Sequence, residues 1–353
     1  MSSSDSVRRS VSPEEVKASA IAAGFDICGI APPAAFPEFE FLQEWIARGY
    51  QAGMHYMARN ADRRADVRAI MPSATAVIML GTVYNTNRPY STANGDPAVA
   101  SIARYAWGDD YHVVIEDRMR GLVAALAATA GPFEHRAYVD TGPVQERVYA
   151  KYAGLGWIGK NTCLINRDLG SWLFLSAIIC DLPLQHDVPG LDHCGRCTLC
   201  IDACPTGAIT APYQLDARRC LSYLTIENKT DIPVEYRGAV QAHAYGCDIC
   251  QDVCPWNRKA AVSSEDSWQP RAGLDAPRLL DLWTRSDNEL RVLLKGSPMK
   301  RAGVRRLRRN LAVSIGNSGN ASAAGELERV QEETCADPLV REHVVWAVEK
   351  LRG

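Results

Sequence analysis

The sequence lacks the features that mark membrane, secreted and fibrous proteins. Its longest mostly apolar run, Trp172 to Cys180, is far short of the roughly 20 residues that a membrane helix needs. The first residues contain no apolar core of a signal peptide, so we expect a cytoplasmic protein. With 353 residues, 47% of them hydrophobic and 23% charged, the composition is that of an ordinary globular protein of two or three domains. A collagen, a coiled coil and a disordered chain are excluded.

The sequence also lacks a large excess of positive or negative charge, and it lacks a histidine metal site. The net charge of -2 gives no overall attraction to nucleic acid, so any site for a polyanion must be a local basic patch. The seven histidines show no spacing typical of metal ligands. We therefore expect solvated or structural roles for them, including His112.

Cysteine, in contrast, is abundant, and eight of the 12 cysteines lie between Cys194 and Cys254. The first run has the spacing C-x2-C-x2-C-x3-C-P of bacterial ferredoxins, in which three cysteines hold one 4Fe-4S cluster and the fourth binds another. The second run, C-x2-C-x3-C-P, supplies three thiolates, and Cys220 between the runs completes eight. The predicted ligands are Cys194, Cys197, Cys200 and Cys254 for the first cluster and Cys204, Cys220, Cys247 and Cys250 for the second.

Two structural zinc sites with four thiolates each are the alternative interpretation of this array. Of the remaining cysteines, Cys28, Cys180 and Cys335 have apolar surroundings and are expected in the core, whereas the role of Cys163 stays open.

The order of helical and strand patterns predicts an α+β protein of three parts. Residues 1–190 alternate the two patterns, with a capping box at Ser12 and a strand buried on both faces over Thr75 to Tyr84, and are expected to form an α/β sandwich. Residues 191–258 are expected to form a ferredoxin-like domain that needs its metal to fold. Residues 259–353 are helical, with a cap at Asp337, and their apolar spacing resembles a HEAT-type hairpin.

The glycines of GLGWIGK, residues 154–160, read Gly-x-Gly-x-x-Gly, which is the fingerprint of dinucleotide-binding folds. Here they follow a predicted helix instead of a strand, and no suitable acidic residue lies about 20 positions later. A nicotinamide-binding fold is therefore rejected, and a plain tight turn is the alternative for each glycine.

Six long motifs are spread over nearly the whole chain. They are RYAWGDDYH (104–112), YVDTGPVQERVYAKYAGLGWIGKNTCLINRDLGSW (138–172), LTIENKTDIP (224–233), YGCDICQDVCPWN (245–257), GSPMKRAG (296–303) and RRNLAVSIGN (308–317). Together they resemble the epoxyqueuosine reductase family, which performs the last step of queuosine synthesis on transfer RNA.

The resemblance implies a cobalamin enzyme related in fold to reductive dehalogenases. Two electrons would pass through two 4Fe-4S clusters to base-off cobalamin, which would lie between the α/β domain and the cluster domain. No Asp-x-His-x2-Gly segment, the signature of proteins whose histidine ligates cobalt, occurs in the chain. The residues themselves did not indicate this cofactor.

Asp140 of the DTGP motif is the proton donor by this resemblance, since opening an epoxide and losing its oxygen as water needs an acid. A following helix N-terminus lowers the pKa of such a carboxyl and burial raises it, so burial must dominate for donation at neutral pH. The alternative is an aspartate that caps the helix.

The resemblance also implies contacts to the corrin and to the RNA. For Arg64, Tyr105, Ser222 and Asp248, a surface or capping role is the alternative. The corrin group comprises Arg64, Tyr105, Gly156, Asn161, Thr162, Ser222 and Asp248, and the RNA group begins with Asn228 and Lys229.

A basic patch lies between Arg285 and Arg309, where nine Lys or Arg residues meet two acidic ones. Arg301, Arg305 and Arg309 have the i, i+4 spacing of one helix face, and with Lys300 they are expected to bind phosphates of an anticodon stem-loop. A solvated helix face is the alternative.

For the whole chain, the alternatives are a corrinoid enzyme acting on a small molecule and a ferredoxin-type electron carrier. We expect a monomer that receives electrons from a low-potential donor.

Overall fold

The computed structural model describes residues 9–334 and 337–353. Residues 1–8, part of the segment expected to lack a signal core, and Cys335, expected in the core, lie outside the described residues. The helices are α1 (Pro13–Ala22), α2 (Glu38–Ala47), α3 (Tyr56–Arg59), α4 (Ala61–Ala65), α5 (Tyr111–Ala130), α6 (Glu146–Tyr152), α7 (Leu199–Asp202), α8 (Leu221–Ile226), α9 (Val234–Val240), α10 (Ile249–Asp252), α11 (Leu279–Trp283), α12 (Asp287–Leu294), α13 (Gly303–Gly316), α14 (Ala323–Thr334) and α15 (Pro338–Arg352).

The strands are short except for two in the N-terminal part. They are β1 (Ile27–Ala31), β2 (Ala76–Val83), β3 (Ser101–Ile102), β4 (His135–Val139), β5 (Trp157–Ile158), β6 (Leu164–Ile165), β7 (Leu173–Cys180), β8 (Ile209–Ala211), β9 (Gln214–Leu215) and β10 (His243–Tyr245).

Four strands form the main sheet, in the order β1-β2-β7-β4, with antiparallel neighbours throughout. Ile78 at the centre lies opposite Ile30 on one side and Ile178 on the other. All eight residues of β2 are buried. This confirms the prediction of a strand covered on both faces, although the pattern did not predict the strand directions.

Helices cover both faces of this sheet. On one face, Val16 of α1 and Ile115 of α5 pack with Ile78, whereas on the other face Tyr149 of α6 packs with Val77. The capping box predicted at the start of α1 is present, because Ser12 and Glu15 exchange side chain to backbone hydrogen bonds. The N-terminal part is therefore the helix and sheet sandwich that its sequence pattern predicts.

The cysteine-rich part has little regular structure. Each ferredoxin run contains one short helix, α7 or α10, directly before its Cys-Pro pair. Trp157 and Ile165, from the turn and hairpin that follow α6, form a small core with Cys254. The glycine-rich turn of the first part thereby contacts the cysteines.

The C-terminal helices pack around α13, which contacts α15, α11 and α12 as well as α8, α9 and β10. Asp337 caps α15 as predicted, accepting a hydrogen bond from the backbone of Leu339. Among the described residues, no helix is long and apolar enough to cross a membrane.

Two segments pack across the predicted boundaries of the three parts. Strand β3 pairs in parallel with β10, and Ile102 shares the core of the C-terminal helices with Leu307. Trp268, which follows the cysteine runs, lies instead in the core of the N-terminal sandwich. The segment around residues 100–112 therefore connects all three parts.

Candidate active site and cluster-binding site

Asp140 follows β4 in a turn whose backbone conformation is unusual. Its φ is +58°, in the left-handed region that residues other than glycine rarely adopt. The backbone N–H of Asp140 donates to Oε1 of Glu146 at 2.7 Å, which anchors the turn to the first residue of α6. The N-cap of α6 is Gln145, without a side-chain capping bond. The alternative of a helix-capping aspartate is therefore wrong.

Three donors converge on one carboxylate oxygen, Oδ2 of Asp140. The Tyr111 hydroxyl donates at 3.0 Å, His112 Nε2 lies at 3.3 Å and Arg301 Nη1 donates at 3.3 Å. The Asp140 side chain nevertheless remains 55% exposed. A carboxylate held from one side and open on the other is suited to contact a substrate.

The surroundings of Asp140 act on its pKa in opposite directions. Partial burial raises the pKa, but the hydrogen bond and charge of His112, the Tyr111 hydroxyl and Arg301 outweigh burial and hold it below its usual range. Glu146 shows the reverse, since burial and the charge of Asp140 raise its pKa to about 8. The expectation that burial dominates at Asp140 does not hold in this structure.

Tyr111, His112 and Glu146 are site residues that the sequence analysis did not assign. Tyr111 stacks on Phe174 with ring centroids 4.4 Å apart. His112 is buried, with Nδ1 2.7 Å from Oδ1 of Asp110. The available signal was the RYAWGDDYH motif, which contains the first two of these residues but does not show which side chain they meet.

The predicted ligands of the first cluster lie together. Cys194, Cys197, Cys200 and Cys254 line one cavity of about 220 Å³. Lys160, also in its wall, donates through Nζ to the carbonyls of Gly195 and Cys197, which fixes the loop of the first run.

The predicted ligands of the second cluster are half-buried and lie near one another. Burial raises the thiol pKa of Cys247, and the nearby thiols of Cys220 and Cys204 raise it further. Cys250 contacts Cys163, which lowers the pKa of Cys163 to about 7. The thiol whose role stayed open therefore lies beside this second set.

A single ion fits neither set. Within the residues that the structure describes, no three His, Cys, Asp or Glu side chains are arranged to hold one metal ion. Four thiols around a cavity of about 220 Å³ suit a polyatomic cluster better, which disfavours the zinc alternative.

Two residues expected near the corrin are buried with distinct bonding. Arg64 donates to the Val144 carbonyl at 3.4 Å, and its Nε has no hydrogen-bond partner in the described part of the chain. Asp248 accepts from the Arg104 backbone at 2.6 Å, and burial with the charge of Asp252 raises its pKa to about 7. The Arg64 side chain therefore retains an unused donor for a polar ligand.

The glycine-rich turn is held mainly by protein contacts. Nδ2 of Asn161 donates to the Cys250 carbonyl at 3.2 Å, and Thr162 adopts a left-handed φ of +65°. A Cβ atom on Gly156 would lie 2.1 Å from the Ile165 carbonyl oxygen. The need for glycine at position 156 is therefore explained by the neighbouring chain, without a corrin.

The other two expected corrin residues differ in their surroundings. Tyr105 shares a hydrogen bond of 3.2 Å with the Tyr245 hydroxyl and packs against the cores of both flanking parts. Ser222 is half-buried, two residues after Cys220.

Arg309 does not belong to an exposed basic face, and the prediction of a shared face is wrong. Its side chain is 0% exposed and donates to the carbonyls of Leu224, Asn228 and Thr230. Burial and repulsion from other arginines lower its pKa to about 9. Arg301 lies in a separate 3-10 turn before α13, so it does not share a helix face with Arg305.

The remaining expected RNA residues divide by exposure. Asn228 is buried and its side chain bonds within its own loop, to Thr230 and Asp231. Arg305 is exposed but pairs with Asp337 at 2.6 Å. The exposed members of the group are Lys229, Lys300, Arg301 and Arg305.

Comparison with known proteins places this geometry in a family. Residues 64–141 match the family model for epoxyqueuosine reductase QueG, DUF1730, and residues 193–257 match a 4Fe-4S double cluster binding domain. The epoxyqueuosine reductase of Xanthomonas campestris is 42% identical over 330 residues, 92% of each chain. That of Pseudomonas aeruginosa is 42% identical over 332 residues, 93% of this chain and 91% of the relative.

Solved structures of epoxyqueuosine reductases are also similar. The Bacillus subtilis structure, whose aspartate-bearing catalytic loop is swung out of the active site, matches with a TM-score of 0.88 and 28% identity, over 96% of this chain and 90% of that one. A structure with an epoxyqueuosine-modified tRNA-Tyr stem loop matches with a TM-score of 0.81 and 26% identity, over 96% and 98%.

A reductive dehalogenase structure matches with a lower TM-score of 0.45 and 18% identity. The long match to the curated relatives is decisive, because identity of 42% extends over more than nine tenths of the chain. The protein is an oxidoreductase that binds 4Fe-4S clusters, and its chain belongs to the epoxyqueuosine reductase family.

Proposed function

We propose that the protein reduces epoxyqueuosine to queuosine in the anticodon loop of tRNA, with two electrons passing through the two 4Fe-4S clusters to cobalamin and Asp140 donating a proton. The observation that carries this proposal is the Asp140 carboxylate, held by three donors yet 55% exposed. An acid that is fixed in position and open to a substrate is what protonation of an epoxide oxygen requires. The catalytic aspartate loop of the Bacillus subtilis relative supports this role.

We propose that cobalamin binds beside Asp140, where Arg64 offers a polar group without a partner in the described chain. When bound, it would deliver the two electrons to the epoxide. Arg64, with a buried Nε that has no partner in the described chain, would donate to one of its side-chain amides. We propose that Tyr105, Gly156, Asn161, Thr162, Ser222 and Asp248 complete the surroundings of the corrin.

Electron transfer to this site is supported by the segment between Arg104 and His112. At one end, the Arg104 backbone bonds Asp248, the neighbour of the cluster ligand Cys247. At the other end, Tyr111 and His112 contact Asp140. The second cluster would thus adjoin the reaction site and the first would receive electrons from a low-potential donor.

The RNA would contact exposed basic residues beside this site. Arg301 touches Asp140, so a stem gripped by Lys300, Arg301 and Arg305 brings its loop near the proton donor. Lys229 would lie nearer the modified nucleotide, on the loop that the buried Arg309 and Asn228 shape. The structure of a relative with a tRNA stem loop supports a tRNA substrate.

We propose three domains. Residues 1–190 bind cobalamin and carry out catalysis, residues 191–258 bind the clusters, and residues 259–353 form a HEAT-like domain that binds tRNA. We propose a monomer that acts in the cytoplasm, where its RNA substrate is made.

The test is reduction of an anticodon stem-loop that carries epoxyqueuosine, followed by mass spectrometry. Protein prepared anaerobically should contain iron and cobalt. Asp140→Asn should keep both metals but lower turnover roughly 100-fold or more, the scale of general-acid catalysis. Asp168→Asn, an exposed aspartate in the loop before β7, is the matched control and should act as wild type.

Three results would contradict parts of the proposal. If Asp140→Asn keeps its activity, Asp140 is not the proton donor and its carboxylate has a structural role. If the protein contains cobalt but does not bind the RNA, a small-molecule substrate is favoured. If it contains no cobalt, the function of an electron carrier is favoured.

A further inference from the structure

The His112 ring lies buried between two carboxylates. Its Nδ1 is 2.7 Å from Oδ1 of Asp110, and its Nε2 is 3.3 Å from Oδ2 of Asp140. Ionised carboxylate oxygens only accept hydrogen bonds, so the ring can satisfy both of them only when both of its nitrogens carry protons. The geometry therefore favours a proton stored next to Asp140.

Asp140 needs such a neighbour, because the groups around it favour its ionised form. His112, Tyr111 and Arg301 together hold the pKa of Asp140 below its usual range. A carboxylate in that state has no proton of its own to give at neutral pH. The proton that it donates must therefore first be delivered to Oδ2.

Of the three donors on Oδ2, His112 is the one whose side chain can both give up a proton and take one back. An arginine guanidinium such as Arg301 does not give up its proton in proteins. Burial and the charge of Asp140 raise the pKa of Tyr111 far above its ordinary value, so its hydroxyl stays protonated. An imidazole is the side chain that exchanges protons in this range.

We propose that His112 supplies the proton that Asp140 gives to the epoxide oxygen, by transfer from Nε2 to Oδ2. This inference rests on the proposed function. Reduction of an epoxide breaks both C–O bonds, forms one C=C bond, and takes up two electrons and two protons, with the oxygen leaving as water. The electrons come from the low-potential donor, one proton comes from His112, and the other comes from water at the exposed side of Asp140.

The neutral ring must then recover its proton, and Asp110 provides a route. The Asp110 side chain is 27% exposed, whereas that of His112 is 8% exposed. Asp110 also caps α5 by accepting from the His112 backbone at 3.2 Å. Four charged or titratable groups contact Asp140 or His112 directly, namely Asp110, Tyr111, Glu146 and Arg301. Tyr56, Arg64 and Tyr105 also interact electrostatically with Asp140.

The first test is the single-turnover rate of stem-loop reduction as a function of pH. His112→Gln keeps an N–H that can donate to Asp140 but cannot transfer a proton. We expect its rate to fall roughly 100-fold and its pH profile to differ from that of wild type. In His112→Ala, added imidazole should restore part of the rate. His186→Gln, with a half-exposed ring that bonds only the Thr75 carbonyl, is the matched control.

A second measurement does not depend on turnover. In protein labelled with ¹⁵N histidine, both ring nitrogens of His112 should show bonded protons, and Asp110→Asn should remove this signature while the clusters remain. Iron content and RNA binding serve to identify folded variants.

The outcomes separate the two proposals. If wild type does not reduce the stem-loop, the proposed function fails. If wild type is active and folded His112→Gln keeps its rate and pH profile, the relay is overturned. Should His112→Gln not fold, an Asp110→Asn variant with unchanged rate, pH profile and nitrogen signals would overturn it equally.

Discussion

Arg301 donates through Nη1 to Oδ2 of Asp140 at 3.3 Å, so a residue of the basic patch touches the proposed proton donor. Both side chains are about half exposed, at 45% and 55%. Arg301 helps to hold the pKa of Asp140 below its usual range. A phosphate that draws this guanidinium away would make Asp140 easier to protonate.

Arg301→Ala should therefore change the pH dependence of the reaction. Loss of the cation favours the protonated form of Asp140, whose pKa rises, so activity should persist to higher pH than in wild type. Lys300→Ala, the neighbouring exposed cation, should weaken RNA binding without shifting the pH profile. Single-turnover rates at saturating stem-loop measure the effect, and a shift of equal size in both variants would contradict it.

Arg309→Ala should act on stability, whereas Arg305→Ala should act on RNA binding. Without Arg309, the carbonyls of Leu224, Asn228 and Thr230 lose a buried donor, and each unpaired acceptor costs about 1–3 kcal/mol. In thermal unfolding, the melting temperature should fall strongly for Arg309→Ala and change little for Arg305→Ala.

Salt titration of stem-loop binding completes this comparison. Each lost phosphate contact flattens the slope of log affinity against log salt by about 0.7 for single-stranded contacts, so Arg305→Ala should show this change. Arg120 on α5 is also strongly exposed, and Arg120→Ala should leave the salt slope unchanged. If the slope is unchanged when Lys300, Arg301 and Arg305 are all replaced, the patch is a solvated surface.

Cys254→Ala should damage the first cluster, although Cys254 belongs to the second cysteine run. It lines one cavity with Cys194, Cys197 and Cys200, so its loss leaves that cluster with three thiolates. Reconstituted wild type should hold about eight iron atoms and the variant about four. Cys28→Ala, in strand β1, is the matched control and should keep all the iron. Stoichiometric zinc without iron in the wild type would contradict the cluster assignment.

The cysteine sets and the main strands could be predicted because their signals are local. Ligand spacing depends on residues within a few positions of each other, and the interlocking count predicts that Cys254 belongs to the first set, whose cavity it lines. Strand β2 could be predicted from its composition alone, because its residues are apolar and many are β-branched. Asp140 was found by resemblance to a family motif, and its left-handed backbone was not visible in the sequence.

Other features depend on side chains that meet across long separations in the chain. A spacing of four residues places Arg305 and Arg309 near each other on a helix, but only the packing of α13 against the 224–230 loop buries Arg309. His112 has a local partner in Asp110, yet its second carboxylate comes from the turn after β4.

The sequence by itself therefore determined the family motifs, the two thiolate sets and the buried sheet, since spacing and composition are local properties. Only the tertiary structure decided which basic residues remain exposed and which donors surround Asp140. Burial and charge pairing act through space, and the protonation of Asp140 depends on Arg301, which is far from it along the chain.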